Sequence, residues 1–426
     1  MNYFTFIILS MTTGVMIVSG LRRPSGVLSY PFLVGAVMAG WFLPQAYNLR
    51  GDLTLPENGY WITMLYATAC IIALKIGWEK SIRLKRVFKL PSYSYNKLLF
   101  ASGILSLVGI ASYSQIFNVD VQTTQEGYST GIVTILFFFA KLQYFGFALA
   151  FALLLKKYSL LALLFVLIDV NTIMGFVLWG GRRGPAVTII LITLSVLWFQ
   201  RRVLVPRAFV LAGLLIGSLF INGISSYRQF VSIEKRLPQF SEILAMDFYK
   251  EGFINGRNFE VSNAITYVSG SLETQSYHLG AAHWNFFVFS YIPGQIVGHA
   301  NKDALKITVD DPAIKAFGYR RHIGTTFTGF ADSFNAFSFF GIIIFYMISY
   351  IMGRFWSRAM AGSFNDKIYY AILLSNGLLL ITHSSAWFLV FAVQPVFFLY
   401  FVFKFVQIKS RRRNLQIGGG NSRIYL

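Results

Sequence analysis

The stretch SLLALLFVLIDVNTIMGFVLWG, residues 159–180, is followed after GRRG by PAVTIILITLSVLWFQ, residues 185–200. Each run approaches the roughly 20 apolar residues that carry a helix across a bilayer core about 30 Å thick. Joined by almost no loop, the two read as an antiparallel pair of membrane spans, because backbone amides in lipid must find their partners inside the helix. Comparable runs lie near 3–20, 27–44, 59–78, 98–117, 132–155, 208–225, 335–353, 368–383 and 386–406, eleven in all. Composition agrees, with 55% hydrophobic and 13% charged residues, where soluble domains carry about 25% charged residues.

The expected fold class is therefore all-α, a polytopic integral membrane protein of about 11 transmembrane helices. Residues 1–225 hold eight of them and 335–408 the last three. Between them, 226–334 form one large polar insert, and 409–426 form a basic tail. Residues 3–20 lack a basic start and a small-residue cleavage pattern, so they read as a retained span.

The net charge of +20 follows the topology. Lys and Arg concentrate in short loops on the cytoplasmic side of membrane proteins, and here Arg22-Arg23, the run from Lys80 to Lys97, Lys156-Lys157, Arg201-Arg202, Arg354 with Arg358, and Arg411 to Arg413 alternate with the spans so as to share one side. The insert then faces outward, to the periplasm in a bacterium. This distribution explains the basicity without a nucleic-acid partner. All acidic residues except Glu79, Asp366 and the intramembrane Asp169 map outside, as do all five histidines. The one cysteine, Cys70, lies in a span, which excludes a disulfide framework and a thiolate cluster.

Within the insert, LPQFSEILAMDFYKEG (237–252) spaces its apolar residues as an amphipathic surface helix, and a second helix is expected over 257–268. WNFFVFSYIPGQIVGH (284–299), interrupted by Pro293 and Gly294, is too short for a span and is expected to re-enter or rest on the bilayer. Residues 228–331 carry ten basic and nine acidic side chains, so any anion site must be local.

Three features offer one. Gly180-Gly181-Arg182-Arg183-Gly184-Pro185 puts two guanidinium groups at the outer start of a helix, where free N–H groups and the helix dipole favour phosphate. Arg228 follows Ser226-Tyr227 at a span exit. Tyr319-Arg320-Arg321-His322-Ile323-Gly324-Thr325-Thr326 combines two cations, an imidazole and hydroxyls directly before a span. Paired arginines grip diphosphate through forked hydrogen bonds that lysine does not copy. The plain alternatives are lipid-headgroup anchoring for the first pair and, for Arg320 and Arg321, a rim neutralised by Asp310, Asp311 or Asp332.

The order of Gly-Gly-Arg-Arg-Gly heading a span, Tyr227-Arg228 at a span exit, Tyr291-Ile292-Pro293 with Lys302 downstream, and Gly324-Thr325-Thr326 to Gly329-Phe330 before an aromatic span resembles bacterial O-antigen and exopolysaccharide repeat-unit polymerases. The resemblance covers roughly the second half of the chain. It implies a GT-C-like membrane glycosyltransferase of the bacterial inner membrane, active at the periplasmic face without metal or other cofactor. Its substrates would be undecaprenyl-diphosphate-linked oligosaccharides, and its partners membrane lipids, a flippase and a chain-length regulator.

The residues suit that chemistry independently. Departure of a lipid diphosphate develops negative charge, which fixed cations stabilise; Arg182, Arg183, Arg228, Arg320 and Arg321 are the candidates. The attacking hydroxyl needs a base of near-neutral pKa, which makes His322 the first choice, with Asp332 and His383 behind it. Asp-x-Asp pairs are absent from the outer loops and His278 and His283 are five apart, so a metal is not expected. Asp169 with Asn171 is costly inside a span; Lys141 is its expected partner, in a pair that locks helices. Two rivals remain, an O-antigen ligase sharing the donor and a lipid-linked oligosaccharide flippase.

Overall fold

A computed structural model of the chain describes residues 1–83, 90–116, 118–119, 131–180, 183–203, 259–322 and 325–408, with scattered single residues between 206 and 242. The expected span at 208–225, most of the amphipathic segment 237–252 and the tail 409–426 lie outside the described residues.

Among the described residues the fold is all-α, and its only β feature is an isolated antiparallel bridge between Tyr93 and Gln407. Nine helices open the chain: α1 (Asn2–Leu21), α2 (Tyr30–Val37), α3 (Leu43–Leu49), α4 (Gly59–Arg83), α5 (Tyr95–Ile116), α6 (Ile132–Ala140), α7 (Leu142–Lys156), α8 (Leu160–Gly180) and α9 (Arg183–Arg201). The insert contributes α10 (Phe259–Thr274), α11 (Ala281–Tyr291) and three short helices, α12 (Gly294–Val297), α13 (His299–Ala304) and α14 (Pro312–Phe317). Four more close the bundle: α15 (Thr328–Phe337), α16 (Ile342–Met360), α17 (Phe364–Thr382) and α18 (Ser385–Val406). Eight segments among the described residues are long and apolar enough to cross a membrane, which makes the chain a multi-pass membrane protein.

Two of these segments, 132–156 and 328–360, are interrupted, as is the helical stretch from α2 to α3. Pro44 has no N–H to continue the ladder, so between α2 and α3 the helix widens to a π turn over Met38–Phe42, and the Leu43 N–H reaches back to Met38 O. Lys141 separates α6 from α7. A 3₁₀ turn over Ser338–Gly341, entered through Ser338 at φ +51°, separates α15 from α16.

The central wall is α17. Tyr370, Leu373, Leu374, Leu380 and Ile381 join the larger core, formed mainly by α1, α2, α4, α10, α15 and α16. Its Ile368, Ala371 and Ile372 join a second core with α5, α7, α9 and α18. Helices in lipid gain little from hydrophobicity and associate through close packing of small residues. The main pair, α4 against α16, does this at Gly77, where an added Cβ would sit 2.3 Å from Tyr346 O, and at Gly353, where it would sit 1.8 Å from Ser81 Oγ.

The bundle has two distinct ends. At one, Ser94 N donates to Val406 O (3.1 Å), Tyr95 Oη to Lys157 O (3.3 Å), Arg202 Nη2 to Met360 O (3.3 Å) and Lys367 Nζ to Gln200 Oε1 (3.2 Å). The basic pairs at 22–23, 156–157 and 201–202 gather here. At the other, Asn2 Nδ2 donates to Arg50 O (3.0 Å), Val261 N to Gln45 Oε1 (3.3 Å) and His278 N to Asn335 O (2.8 Å). The insert therefore sits on the end away from the basic loops.

One boundary differs from the sequence reading. Residues 328–334, read as the end of the insert, belong to α15, whose Phe330 and Phe334 are fully buried among Phe42, Phe345 and Tyr66. Its polar residues hide the helix in the sequence, yet each is satisfied inside: Ser333 Oγ lies 3.0 Å from Tyr66 Oη, and the Asn335 carboxamide lies 2.7 Å from Ser271 Oγ.

Single-cysteine labelling with a membrane-impermeant maleimide checks the orientation, since Cys70 is fully buried and silent. Glu273→Cys on the exposed face of α10 should label from outside intact cells, and Ser92→Cys only after lysis; the reverse pattern would invert the topology. Ser271 does not suit this purpose, because it is fully buried.

Candidate functional site

Residues 318–322, which leave α14, and 325–327, which enter α15, form a strap at the insert end of the bundle. Gly318, at φ +63°, terminates α14 in the left-handed region, which costs glycine little. Asp311 begins the same helix, its Oδ1 accepting from Ala313 N (2.9 Å) and Ile314 N (3.1 Å), while its Oδ2 accepts from Tyr267 Oη (2.7 Å). Burial, with the adjacent Asp311 carboxylate, holds the Tyr267 phenol well above its ordinary range, so it stays protonated as a donor.

One side chain of α10 pins the strap on both sides of its charged residues. Asn263, fully buried, accepts from Tyr319 Oη at its Oδ1 (2.6 Å) and donates from its Nδ2 to Thr325 Oγ1 (3.0 Å) and Thr326 O (2.8 Å). Both amide hydrogens are used. Further fastenings run from Thr326 Oγ1 to Thr382 O (2.6 Å), from Thr325 Oγ1 to His322 O (2.7 Å), and through the Phe327 ring, stacked on Tyr267 at 4.8 Å and 10°.

Between these pins stand Arg320, Arg321 and His322. Arg320 and His322 are exposed and Arg321 is half-buried. The Arg321 guanidinium carbon lies 5.3 Å from the Phe327 ring centre, and the His322 ring lies 4.5 Å from Phe259. An aromatic face holds the Arg321 cation in place without cancelling its charge. The acids expected to neutralise the pair are engaged elsewhere: Asp310 with Lys315 (3.3 Å), Asp311 as helix cap, and Asp332 at the start of α18. Among the described residues, no ion pair joins Arg320 or Arg321 to a carboxylate. Ile323 and Gly324 lie outside the described residues.

Asp332 is buried, with 5% of its surface exposed. Its Oδ2 accepts from Ser384 Oγ (2.8 Å), Ser385 Oγ (2.6 Å) and Ala386 N (3.2 Å). A carboxylate is favourable there, where the free amides and dipole of α18 point outward. The His283 Nε2 atom, on α11, is 2.8 Å from Ser385 Oγ and 3.6 Å from Asp332 Oδ2, and its buried Nδ1 has no hydrogen-bond partner. With the single Ser385 proton given to the carboxylate, the His283 Nε2 atom is the donor to Ser385 Oγ. Asp332 thus ties α15, α11 and α18 together. His383 Nδ1 is 2.7 Å from Thr382 Oγ1, and its ring lies 4.6 Å from Trp387; Thr382 is the residue whose carbonyl holds Thr326.

From this junction α11 descends along α18. Phe286 stacks on Trp387 at 5.9 Å and 11°, and Tyr291 Oη donates to Val390 O (2.6 Å). Pro293 ends the descent, and the chain returns through α12 and α13 until Trp284 Nε1 donates to Leu305 O (2.8 Å) and Asn285 pairs with the backbone of Ile307. Lys302 Nζ donates to Phe289 O (3.1 Å) near the end of α11. The segment expected to re-enter or rest on the bilayer is a helical hairpin laid against α18.

The remaining candidates divide. Gly181, Arg182 and Arg228 lie outside the described residues, and Arg183 is described only as the first residue of α9. Tyr227 Oη donates to Leu178 O (3.0 Å), which brings the chain beside Arg228 to the end of α8. Asp169 does not pair with Lys141. Its Oδ2 accepts from Ser106 Oγ (2.7 Å), and its backbone carbonyl accepts from Gln143 (3.3 Å). Lys141 instead sits 3.5 Å from the Phe391 ring centre, because the break between α6 and α7 turns it toward α18. Among the described residues no three His, Cys, Asp or Glu side chains converge on a metal position. Comparison of the chain with protein-family models, curated proteins and solved structures finds no match.

Spacing does not disclose Asn263, His283 or Ser385, although Ser384-Ser385 before an apolar run is a helix-start signal. Asn263→Ala leaves Tyr319 and Thr326 without their buried partner, at about 1–3 kcal/mol. Hydrogen–deuterium exchange should rise over 319–327 and stay unchanged in α4 and α16; unaltered exchange in the strap would show that Asn263 does not hold it.

Proposed function

We propose that the protein is a polymerase of undecaprenyl-diphosphate-linked oligosaccharide repeat units at the outer face of the bacterial inner membrane. The reading rests above all on one observation: a strap pinned by Asn263 presents two arginines and a histidine at the insert end, with no carboxylate paired to the arginines among the described residues. Fixed cations of this kind stabilise charge that develops in a reaction without reorganising when it does.

In the proposed reaction, a hydroxyl of the newly arrived repeat unit attacks the anomeric carbon at the reducing end of the growing chain. The new glycosidic C–O bond forms as the C–O bond to diphosphate breaks, and undecaprenyl diphosphate leaves with the electron pair. His322 accepts the hydroxyl proton. Arg320 and Arg321 take the diphosphate charge, with Arg182, Arg183 and Arg228 completing the anion site. Asp332 acts as a positioning residue through α18. No nucleotide sugar is consumed, because the lipid carrier supplies the leaving group.

Eleven spans and a GT-C-like arrangement belong to this proposal. Arg202 is bonded to Met360 at the basic end and Tyr227 to Leu178 at the other, so the chain changes ends between them. This supports the span expected at 208–225.

Polymer made in cells that depend on this chain tests the assignment. Arg321→Ala should lower polymer by about 100-fold, the usual loss when one donor to a developing anion is removed, and Arg321→Lys should recover little of it. His322→Ala should retain lipid-diphosphate binding and lose turnover. Undiminished polymer from an Arg320→Ala/Arg321→Ala double variant at wild-type abundance would remove the site. Lost transfer to a lipid A core, with polymerisation intact, would instead identify a ligase.

A further inference from the structure

At the end of the bundle opposite the strap, α1, the 22–29 turn, α4 and α16 enclose a cavity of about 520 Å³. Four cations line it, Arg22, Arg23, Lys75 and Arg83, against one carboxylate, Glu79. Glu79 is shared at 3.7 Å by Lys75 and by Arg83, which leaves the charge strongly positive. Arg22 and Arg23 are exposed at the mouth, and Trp78 and Trp356, with ring centres 5.8 Å apart, form the back wall.

The wall is rigid. Gly26 lies so close to α1 that an added Cβ would sit 2.0 Å from Gly20 O, and the turn carries its own hydrogen bonds from Gly26 N to Arg23 O (2.9 Å) and Ser29 N to Gly26 O (3.0 Å). The backbone that carries the two arginines is therefore set by packing and turn hydrogen bonds.

What lies below the cations points to the ligand. Positions three and four apart share a helix face. On α4, exposed Ile72 and Ile76 precede Glu79 and Arg83; on α1, exposed Val15 and Val18 precede Arg22. Each helix thus shows an aliphatic stripe that ends in charge at the membrane rim. A phosphate ester fits the cations, and a lipid tail fits the stripes. Basic pockets between transmembrane helices at the cytoplasmic side suit anionic headgroups.

We propose that this cavity binds the phosphate headgroup of an anionic phospholipid of the cytoplasmic leaflet, with its acyl chains against α1 and α4. The site is separate from the strap and does not depend on the polymerase reading.

Native mass spectrometry of the detergent-purified full chain, titrated with phosphatidylglycerol or phosphatidylcholine, tests it. The wild-type protein should retain phosphatidylglycerol at concentrations where phosphatidylcholine is lost. Arg22→Ala/Arg23→Ala should weaken that adduct by about thirtyfold, at the usual contribution of two cations near a charged headgroup. Lys156→Ala/Lys157→Ala, which removes equal charge at the same end, should not. Competition by millimolar inorganic phosphate would support the anion site but contradict the lipid as its occupant. The absence of a preference in the wild-type protein would overturn the proposal even if the variant failed to fold. So would equal weakening by both double variants.

Discussion

A buried carboxamide organises the outer end of this protein. Asn263 is fully buried, and its two hydrogens and its oxygen are committed to Tyr319, Thr325 and Thr326. An amide left unpaired there costs about 1–3 kcal/mol, which selects the one path of the strap that satisfies it. That path fixes where Arg320, Arg321 and His322 emerge. Two arginines and a histidine are thus positioned by a residue that carries no charge.

The strap connects to the membrane bundle at two further points. Thr326 is bonded to the last turn of α17, the helix shared by both cores. Asp332 then binds the start of α18, where Ser385 also meets His283 on the descending hairpin. Insert and bundle are thus joined through polar contacts at the membrane boundary, where an unpaired group would be costly. The ends of the molecule differ accordingly: basic loops collect at one, and the strap and the His283–Asp332 junction at the other.

Much of the architecture is legible in the sequence because spans announce themselves by apolar length. The short link between α8 and α9 and the helix in the insert are readable too, although α10 runs to Thr274 instead of stopping at 268. The misreadings share a cause. Polar residues in α15 resemble loop composition, but Asp332, Ser333 and Asn335 each meet a partner distant in sequence. The proposed Lys141–Asp169 pair rested on charge alone and could not register that a helix break points Lys141 at Phe391. In the candidate site, Arg320, Arg321 and His322 stood out through their residue types, whereas Asn263 is one polar residue among several on its helix. Its role exists only once the strap is folded over it.

The most direct test of the central claim is incubation of the purified protein with synthetic undecaprenyl-diphosphate oligosaccharide repeat units, without nucleotide sugar. Products are resolved by length, in parallel for the wild-type protein and Arg320→Ala/Arg321→Ala. The account predicts a ladder of longer glycans with release of undecaprenyl diphosphate from the wild-type protein, and little or none from the variant. Wild-type protein that binds the lipid yet yields no ladder, or a variant whose ladder matches the wild type, would contradict it.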